Sequence, residues 1–188
     1  MFGGSKMKIN IGGGLKRIDG FVNVDADPNV KPEHLCNLET DRLPFGDSSV
    51  DEVRAHHILE HIHNLGHVIK EVYRVCKPNA VVDIAFPHHF SRNFFGDYTH
   101  CRALTVEMFK QFSRKYCLWH QETYGSSSGH AITHGVDFEV LDYMYSIHAD
   151  YAQLEAEGRY EEIGRLAEHL VNVYQDVFIK LVVIKEKP

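Results

Sequence analysis

The sequence predicts an α/β fold built on a parallel sheet, and three observations carry the prediction. A short apolar strand over residues 9–11 runs into three glycines, and a second strand over 21–25 ends in a carboxylate. Residues 50–57, 62–76 and 80–86 then alternate as strand, helix and strand, the last almost continuously apolar, which is how strands of a covered parallel sheet read. A final apolar strand follows at 178–184.

Each element has a local reason. Between residues 27 and 49 Pro, Asp, Asn and Ser dominate, which gives loop with at most a short strand near 34–36. In 50–57, Val53 and Ala55 point inward. Ile62, Leu65, Val68, Ile69, Val72, Tyr73 and Cys76 recur at helical spacing, the helix starting at Leu59 or Ile62, and Lys77-Pro78-Asn79 ends it. Pro87 closes the strand at 80–86. Thr105 is the expected N-cap of a helix reaching about residue 115, with Glu107 in its first turn. Residues 116–124 read as a strand and 125–129 as a glycine-serine loop. Residues 149–177, interrupted by Gly158 and Gly164, read as two helices, in which Leu154, Ile163, Leu166, Leu170 and Val173 suit either a core or a dimer face.

At 188 residues, 44% hydrophobic and 24% charged, the chain has enough apolar content for one domain over 1–188. A net charge of −6 argues against binding nucleic acid by phosphate neutralisation. Cys36, Cys76, Cys101 and Cys117 make no C-x-x-C pair, so neither a disulfide framework nor a cysteine zinc site is indicated. Residues 1–8 lack a secretory apolar run, and no segment approaches the ~20 apolar residues of a membrane span. The expectation is a cytoplasmic protein without membrane association.

Gly12, Gly13 and Gly14 at the end of the first strand let backbone and ligand approach closely, and Asp25, one strand over, can accept hydrogen bonds from ribose hydroxyls. This pairing points to an adenosine ligand. A dinucleotide site wants G-x-G-x-x-G, a full helix facing the pyrophosphate and an acid about 20 residues on. Here Arg17 occupies the third glycine position and Asp25 arrives early. The connection over 12–20 barely holds a crossover, so the first helix shrinks to a turn and a pyrophosphate loses its helix N-terminus. An adenosine ligand without phosphate loses less, and S-adenosylmethionine is such a ligand.

The ordered landmarks resemble those of class I S-adenosylmethionine-dependent methyltransferases, from about residue 8 to residue 109. Ile9 to Gly14 resembles the first-strand loop, and Phe21-Val22-Asn23-Val24-Asp25 the second strand with its ribose-binding acid. Asn37-Leu38, Leu43-Pro44-Phe45 and Asp47-Ser48-Ser49-Val50-Asp51 resemble the adenine-side loop leading into the fourth strand; Asn37 stands where Asp is commoner. Arg54-Ala55-His56-His57-Ile58-Leu59-Glu60-His61 resembles the loop facing the methionine end of the cofactor, and Arg74-Val75-Cys76-Lys77-Pro78-Asn79 the turn before the fifth strand. Gly96-Asp97-Tyr98-Thr99-His100 resembles a substrate-side loop of members acting on small molecules or glycans. The resemblance implies a Rossmann-like, seven-stranded, mostly parallel sheet with helices on both faces and the last strand antiparallel. It implies S-adenosyl-L-methionine as cofactor, held by Gly12, Gly13, Gly14, Asp25, Asn37, Leu38, Ala55 and His56. Residues 125–177 are expected to form an insertion that covers the substrate.

Fourteen histidines invite a metal reading. His57-Ile58-Leu59-Glu60-His61 matches H-x-x-E-H, which on a continuous helix turns both histidines toward one zinc, as in a zinc hydrolase. The segment stands where strand passes into helix and no third ligand lies at recognisable spacing, so the reading assigns no metal. Instead Glu60 and His61 are expected to organise the cofactor loop. His88, His89, Asp97 and His100 lie past the fifth strand, where ligands of open α/β sheets bind. His57, His88 or His100 is the expected base, with Asp97 orienting an imidazole. Tyr98 and Phe94-Phe95 are candidates either for an acceptor wall or for core.

Two absences narrow the acceptor. The region after the fourth strand holds no Asn or Asp followed by Pro-Pro-aromatic, and no Pro-Cys nucleophile occurs. With the acidic charge this favours a hydroxyl or amine on a small molecule or glycan. A competing class is an S-adenosylmethionine-binding partner module without methyl transfer, docking through its C-terminal helices.

Overall fold

The computed structural model describes residues 6–125 and 129–185. Most of the glycine-serine loop expected at 125–129 lies outside the described residues. Seven strands form one sheet in the order β3-β2-β1-β4-β5-β7-β6. They are β1 (Lys8–Ile11), β2 (Val22–Asp25), β3 (His34–Leu35), β4 (Val50–His56), β5 (Cys76–Pro87), β6 (Phe138–Ile147) and β7 (Tyr174–Val183). The first five pair in parallel, and β7 runs antiparallel to both β5 and β6.

Helix α1 (Leu65–Val75) joins β4 to β5 and buries Leu65, Val68, Ile69, Val72 and Val75, the apolar stripe that its spacing predicts. It starts later than the sequence pattern because His57 takes a left-handed φ of 53° and Leu59–His61 form a separate 3-10 turn. The strand after it starts earlier. Cys76 already pairs with Val50, and a register shift before Glu52 absorbs Pro78, which cannot donate to a ladder, and Asn79 with its φ of 64°.

The main core lies on the sheet face of Ile9, Val24, Val53, Ala55, Val82, Ile84 and Ile179. Phe86 stacks on Phe109 of α3 (Val106–Lys110), and Tyr73 of α1 meets Phe138 edge-on. Helix cover is uneven. On the opposite face the paired row Asn10, Arg54, Asp83 and Lys180 is polar, and Arg54 and Asp83 keep 25% and 22% of their side-chain surface. The connection before β2 holds no helix and that before β3 only the 3-10 turn Pro28–Val30, so these crossovers lay no helix on that face.

Four expectations change beyond residue 105. The helix capped by Thr105 ends at Lys110, after which Ser113 caps α4 (Arg114–Tyr124) by accepting from the Tyr116 N–H. Residues 116–124 are therefore helix, not strand. Their aromatic and β-branched content favours a strand locally, but the Ser113 cap and the left-handed Gly125 stop fit a helix, and packing decides. Residues 125–177 are not a plain insertion: α5 (His130–His134) leads into β6, the edge strand of the sheet. The connection between β6 and β7, residues 148–173, carries α6 (Ala152–Ala156) and α7 (Tyr160–His169), and β7 starts at Tyr174 rather than near 178. Of the amphipathic set, Ile163 and Val173 are buried while Leu170 is exposed.

Candidate active site

Carboxyl ends of parallel strands converge where β1 and β4 stop. The Gly12 N–H donates to the Val24 carbonyl at 2.8 Å, so the glycine loop turns over the end of β2. Gly12 has φ 63°, and a Cβ on it would meet Ile58 of the loop after β4; a Cβ on Gly13 would meet Asn10 Nδ2 at 2.2 Å. Asn10 is committed there, because its Nδ2 donates to Asn23 Oδ1 at 2.9 Å and both residues are buried. Two of the three glycines are thus demanded by packing of the loop on its own walls.

Asp25 orders the same loop. Its Oδ2 accepts from the Gly14 N–H at 2.9 Å and its Oδ1 from the Asp27 N–H at 3.0 Å. One contact per oxygen leaves further lone pairs for ligand hydroxyls. Asn37 turns inward on its own chain: its Oδ1 accepts from the Glu39 N–H at 3.0 Å and its N–H donates to Asp41. Gly12, Asp25, Ala26, Asn37, Leu38, Glu39, Ile58 and Ile62 line one cleft of about 220 Å³.

Ala55 and His56 are elsewhere. Ala55 is 1% exposed in the core. His56 belongs to the opposite sheet face, where its Nδ1 accepts from Arg54 at 2.8 Å and its Nε2–H donates to Asp83 at 3.0 Å. The Asp83 carboxyl is held below the usual range by that bond. Ile58 and Ile62, one turn further on, supply the wall instead. Strand-to-turn geometry decides this, and residue spacing alone does not show it.

The histidines divide into two groups. His57 is half exposed, and its Nδ1 lies 3.5 Å from Oε1 of Glu60, which is 1% exposed. Contact with Glu60 raises the His57 pKa, and burial raises that of Asp176 nearby. His61 Nδ1 meets Thr99 Oγ1 at 2.8 Å, and His100 Nδ1 meets the Phe94 carbonyl at 2.7 Å. Asp97 reaches an imidazole only through Thr99, whose hydroxyl donates to Asp97 Oδ1 at 2.6 Å. That imidazole is His61, which is not one of the three candidate bases His57, His88 and His100. His57, with its positive φ, stands outside the turn Leu59–His61, which breaks the helix the H-x-x-E-H zinc pattern needs.

His88 is set apart among His89, Phe90, Tyr145 and Tyr174. Its Nδ1 accepts from the Phe90 N–H at 3.3 Å, and burial pushes its pKa down to about 4. Tyr98 and Phe95 are exposed rather than core, at 98% and 70%. The β6–β7 connection reaches this edge as well: the Asn172 N–H donates to the Phe90 carbonyl, and the Asn172 side chain accepts from the Arg92 N–H.

Residues 20–83 match the methyltransferase domain family. No curated protein matches the chain by sequence. Among solved structures, an S-adenosylmethionine-dependent methyltransferase from Archaeoglobus fulgidus superposes with a TM-score of 0.60 at 15% identity, over 95% of this chain and 86% of that one. The cyclase SpnF gives 0.58 at 12% identity, over 98% and 78%. Phosphoethanolamine N-methyltransferase 2 of Haemonchus contortus, in complex with phosphomonomethylethanolamine and S-adenosylhomocysteine, gives 0.56 at 14% identity, over 97% of this chain and 49% of that one. At such identities the likeness speaks for the fold. The chain therefore has the fold of the class I S-adenosylmethionine-dependent methyltransferases and carries the methyltransferase domain signature from the turn before β2 into β5.

Proposed function

We propose that the protein is an S-adenosylmethionine-dependent methyltransferase that modifies an oxygen or nitrogen of a small molecule or glycan. The observation that carries this reading is the single cleft joining Gly12, Asp25, Leu38 and Ile58 at the carboxyl edge of the sheet. Its residues fit the cofactor: Asp25 retains lone pairs for two ribose hydroxyls, while Leu38, Ile58 and Ile62 offer apolar walls to a purine. When bound, S-adenosylmethionine supplies an electrophilic sulfonium methyl.

The chain's task is then to align an acceptor in line with that methyl, to exclude water and to take up a proton. His57 is the best-placed base. It follows β4 directly, is half exposed toward solvent and is backed by the buried Glu60. His88 is a poorer base because Phe90 occupies its lone pair. The β6–β7 connection and the loop after β5 border the acceptor side, which suits a compact acceptor. No helix among the described residues is long and apolar enough to cross a membrane.

Calorimetric titration with S-adenosylmethionine and S-adenosylhomocysteine tests the reading. Binding of both to the wild-type chain is expected, and binding of neither overturns it. The shared fold of the cyclase SpnF keeps a second chemistry in view. Formation of S-adenosylhomocysteine over an acceptor series separates methyl transfer from cofactor binding alone.

A further inference from the structure

The carboxylate of Glu60 is 1% exposed, and neither of its oxygens has a hydrogen-bond partner. Burying an anion in that condition is costly unless a cation compensates it. The nearest imidazole nitrogen, His57 Nδ1, lies 3.5 Å from Oε1 and makes no hydrogen bond to it. Ligand atoms of Glu60, His61 and His100 lie within 4.8 Å of one another, and the two rings stand 4.6 Å apart.

The partners of the two rings decide which nitrogen each leaves free. The Phe94 carbonyl only accepts, so His100 Nδ1 carries the proton and donates it. Thr99 gives its one hydroxyl proton to Asp97, so Thr99 Oγ1 accepts from His61 Nδ1–H. In the neutral form both histidines therefore keep Nε2 as an unprotonated lone pair. This is the arrangement that outer-sphere carbonyls and carboxylates impose on metal-binding imidazoles.

We infer that Glu60, His61 and His100 bind a divalent first-row transition cation. Two imidazoles and one carboxylate suit zinc, cobalt or iron, and three protein ligands leave coordination positions open, as in catalytic rather than structural sites. The H-x-x-E-H spacing contributes only its Glu60 and His61. The third ligand comes from the loop after β5, held against Glu60 by the Cys101 N–H donating to the Glu60 carbonyl at 2.9 Å. The cation ties the loops after β4 and β5 together at the carboxyl edge. The inference stands on these residues and does not use the methyl-donor reading.

The test uses the full chain without an affinity tag, stripped with chelator and titrated with cobalt(II) chloride while visible absorption and heat are followed. One equivalent of cobalt is expected, displaced by zinc, with a rise in Tm on zinc addition. His61→Asn and His100→Asn, both at partly exposed positions, are each expected to weaken binding about tenfold or more and to abolish the zinc-dependent rise in Tm. His130→Asn, a control on α5, should leave both unchanged. No cobalt uptake by the wild type, or a smaller loss in either of the two ligand variants, overturns the site. These variants keep the test independent of Glu60→Gln, whose buried position puts folding at risk.

Discussion

A Cβ on Gly12 would stand 2.3 Å from Cγ1 and 2.6 Å from Cβ of Ile58. The loop after β1 and the loop after β4 touch at this point, and both line the same cleft. Gly12→Ala should therefore lose at least about tenfold in S-adenosylmethionine affinity and about 1–3 kcal/mol of stability, from strain at positive φ and overpacking together. Ile58→Ala in the same chain removes the clash with Cγ1 and Cδ1 but keeps the Cβ at 2.6 Å, so only partial recovery in calorimetry and urea unfolding is expected. Wild-type affinity in the single variant would contradict the proposed location of the cofactor.

Asp25 acts on the ligand and on the loop at once. Asp25→Ala removes the acceptor for ribose hydroxyls and also releases the Gly14 and Asp27 N–H groups. S-adenosylmethionine binding should weaken by about 1–3 kcal/mol, read directly by calorimetry. Asp25→Asn keeps an acceptor oxygen and should fall between the two.

His57 carries the proposed proton transfer. On any acceptor that gives turnover, His57→Gln should lower kcat by about 10²–10⁴-fold for a hydroxyl nucleophile while leaving cofactor affinity near wild type. An unchanged kcat would remove His57 from the chemistry.

Arg74 holds the helix α1 end to the loop before β4. Its guanidinium donates to Glu71 and Asp47, both at 2.7 Å, and to the Leu43 and Phe45 carbonyls, both at 2.9 Å. Only 17% of the side chain is exposed, and the Arg74 guanidinium holds the Glu71 and Asp47 carboxyls below their usual range. Arg74→Met should cost about 2–4 kcal/mol, less than a fully buried pair but more than a surface one. A shift in urea midpoint without a change in slope is the expected signature.

His88 links stability to pH. Its pKa falls from 6.5 to about 4 on folding, so between these values the unfolded chain binds the extra proton and stability declines as the pH drops. The contribution is whole above pH 6.5 and is lost progressively toward pH 4. The slope from this one group is at most about 1.4 kcal/mol per pH unit. His88→Gln should flatten the acid side of the stability profile over that interval, measured by Tm from pH 7 to pH 5.

Local patterns in the sequence were sufficient for β1, β2, the β4-α1-β5 unit and the pairing of a glycine loop with Asp25, because strand and helix periods and glycine turns depend on near neighbours. The α4 helix was legible in part: Ser113 and Gly125 are ordinary cap signals, but the aromatic content between them competes. β6 was not legible, since an edge strand is defined by its pairing with β7, 27 to 45 residues away in the chain. Side-chain placement needed the tertiary structure most. One residue of register separates buried Ala55 from His56 on the opposite face, and the turn at His57 moves Ile58 into the cleft. The glycine loop and Asp25 alone point to an adenosine ligand. Only folding brings His100 to Glu60 and His61, because that contact depends on how two strand-end loops pack at one sheet edge.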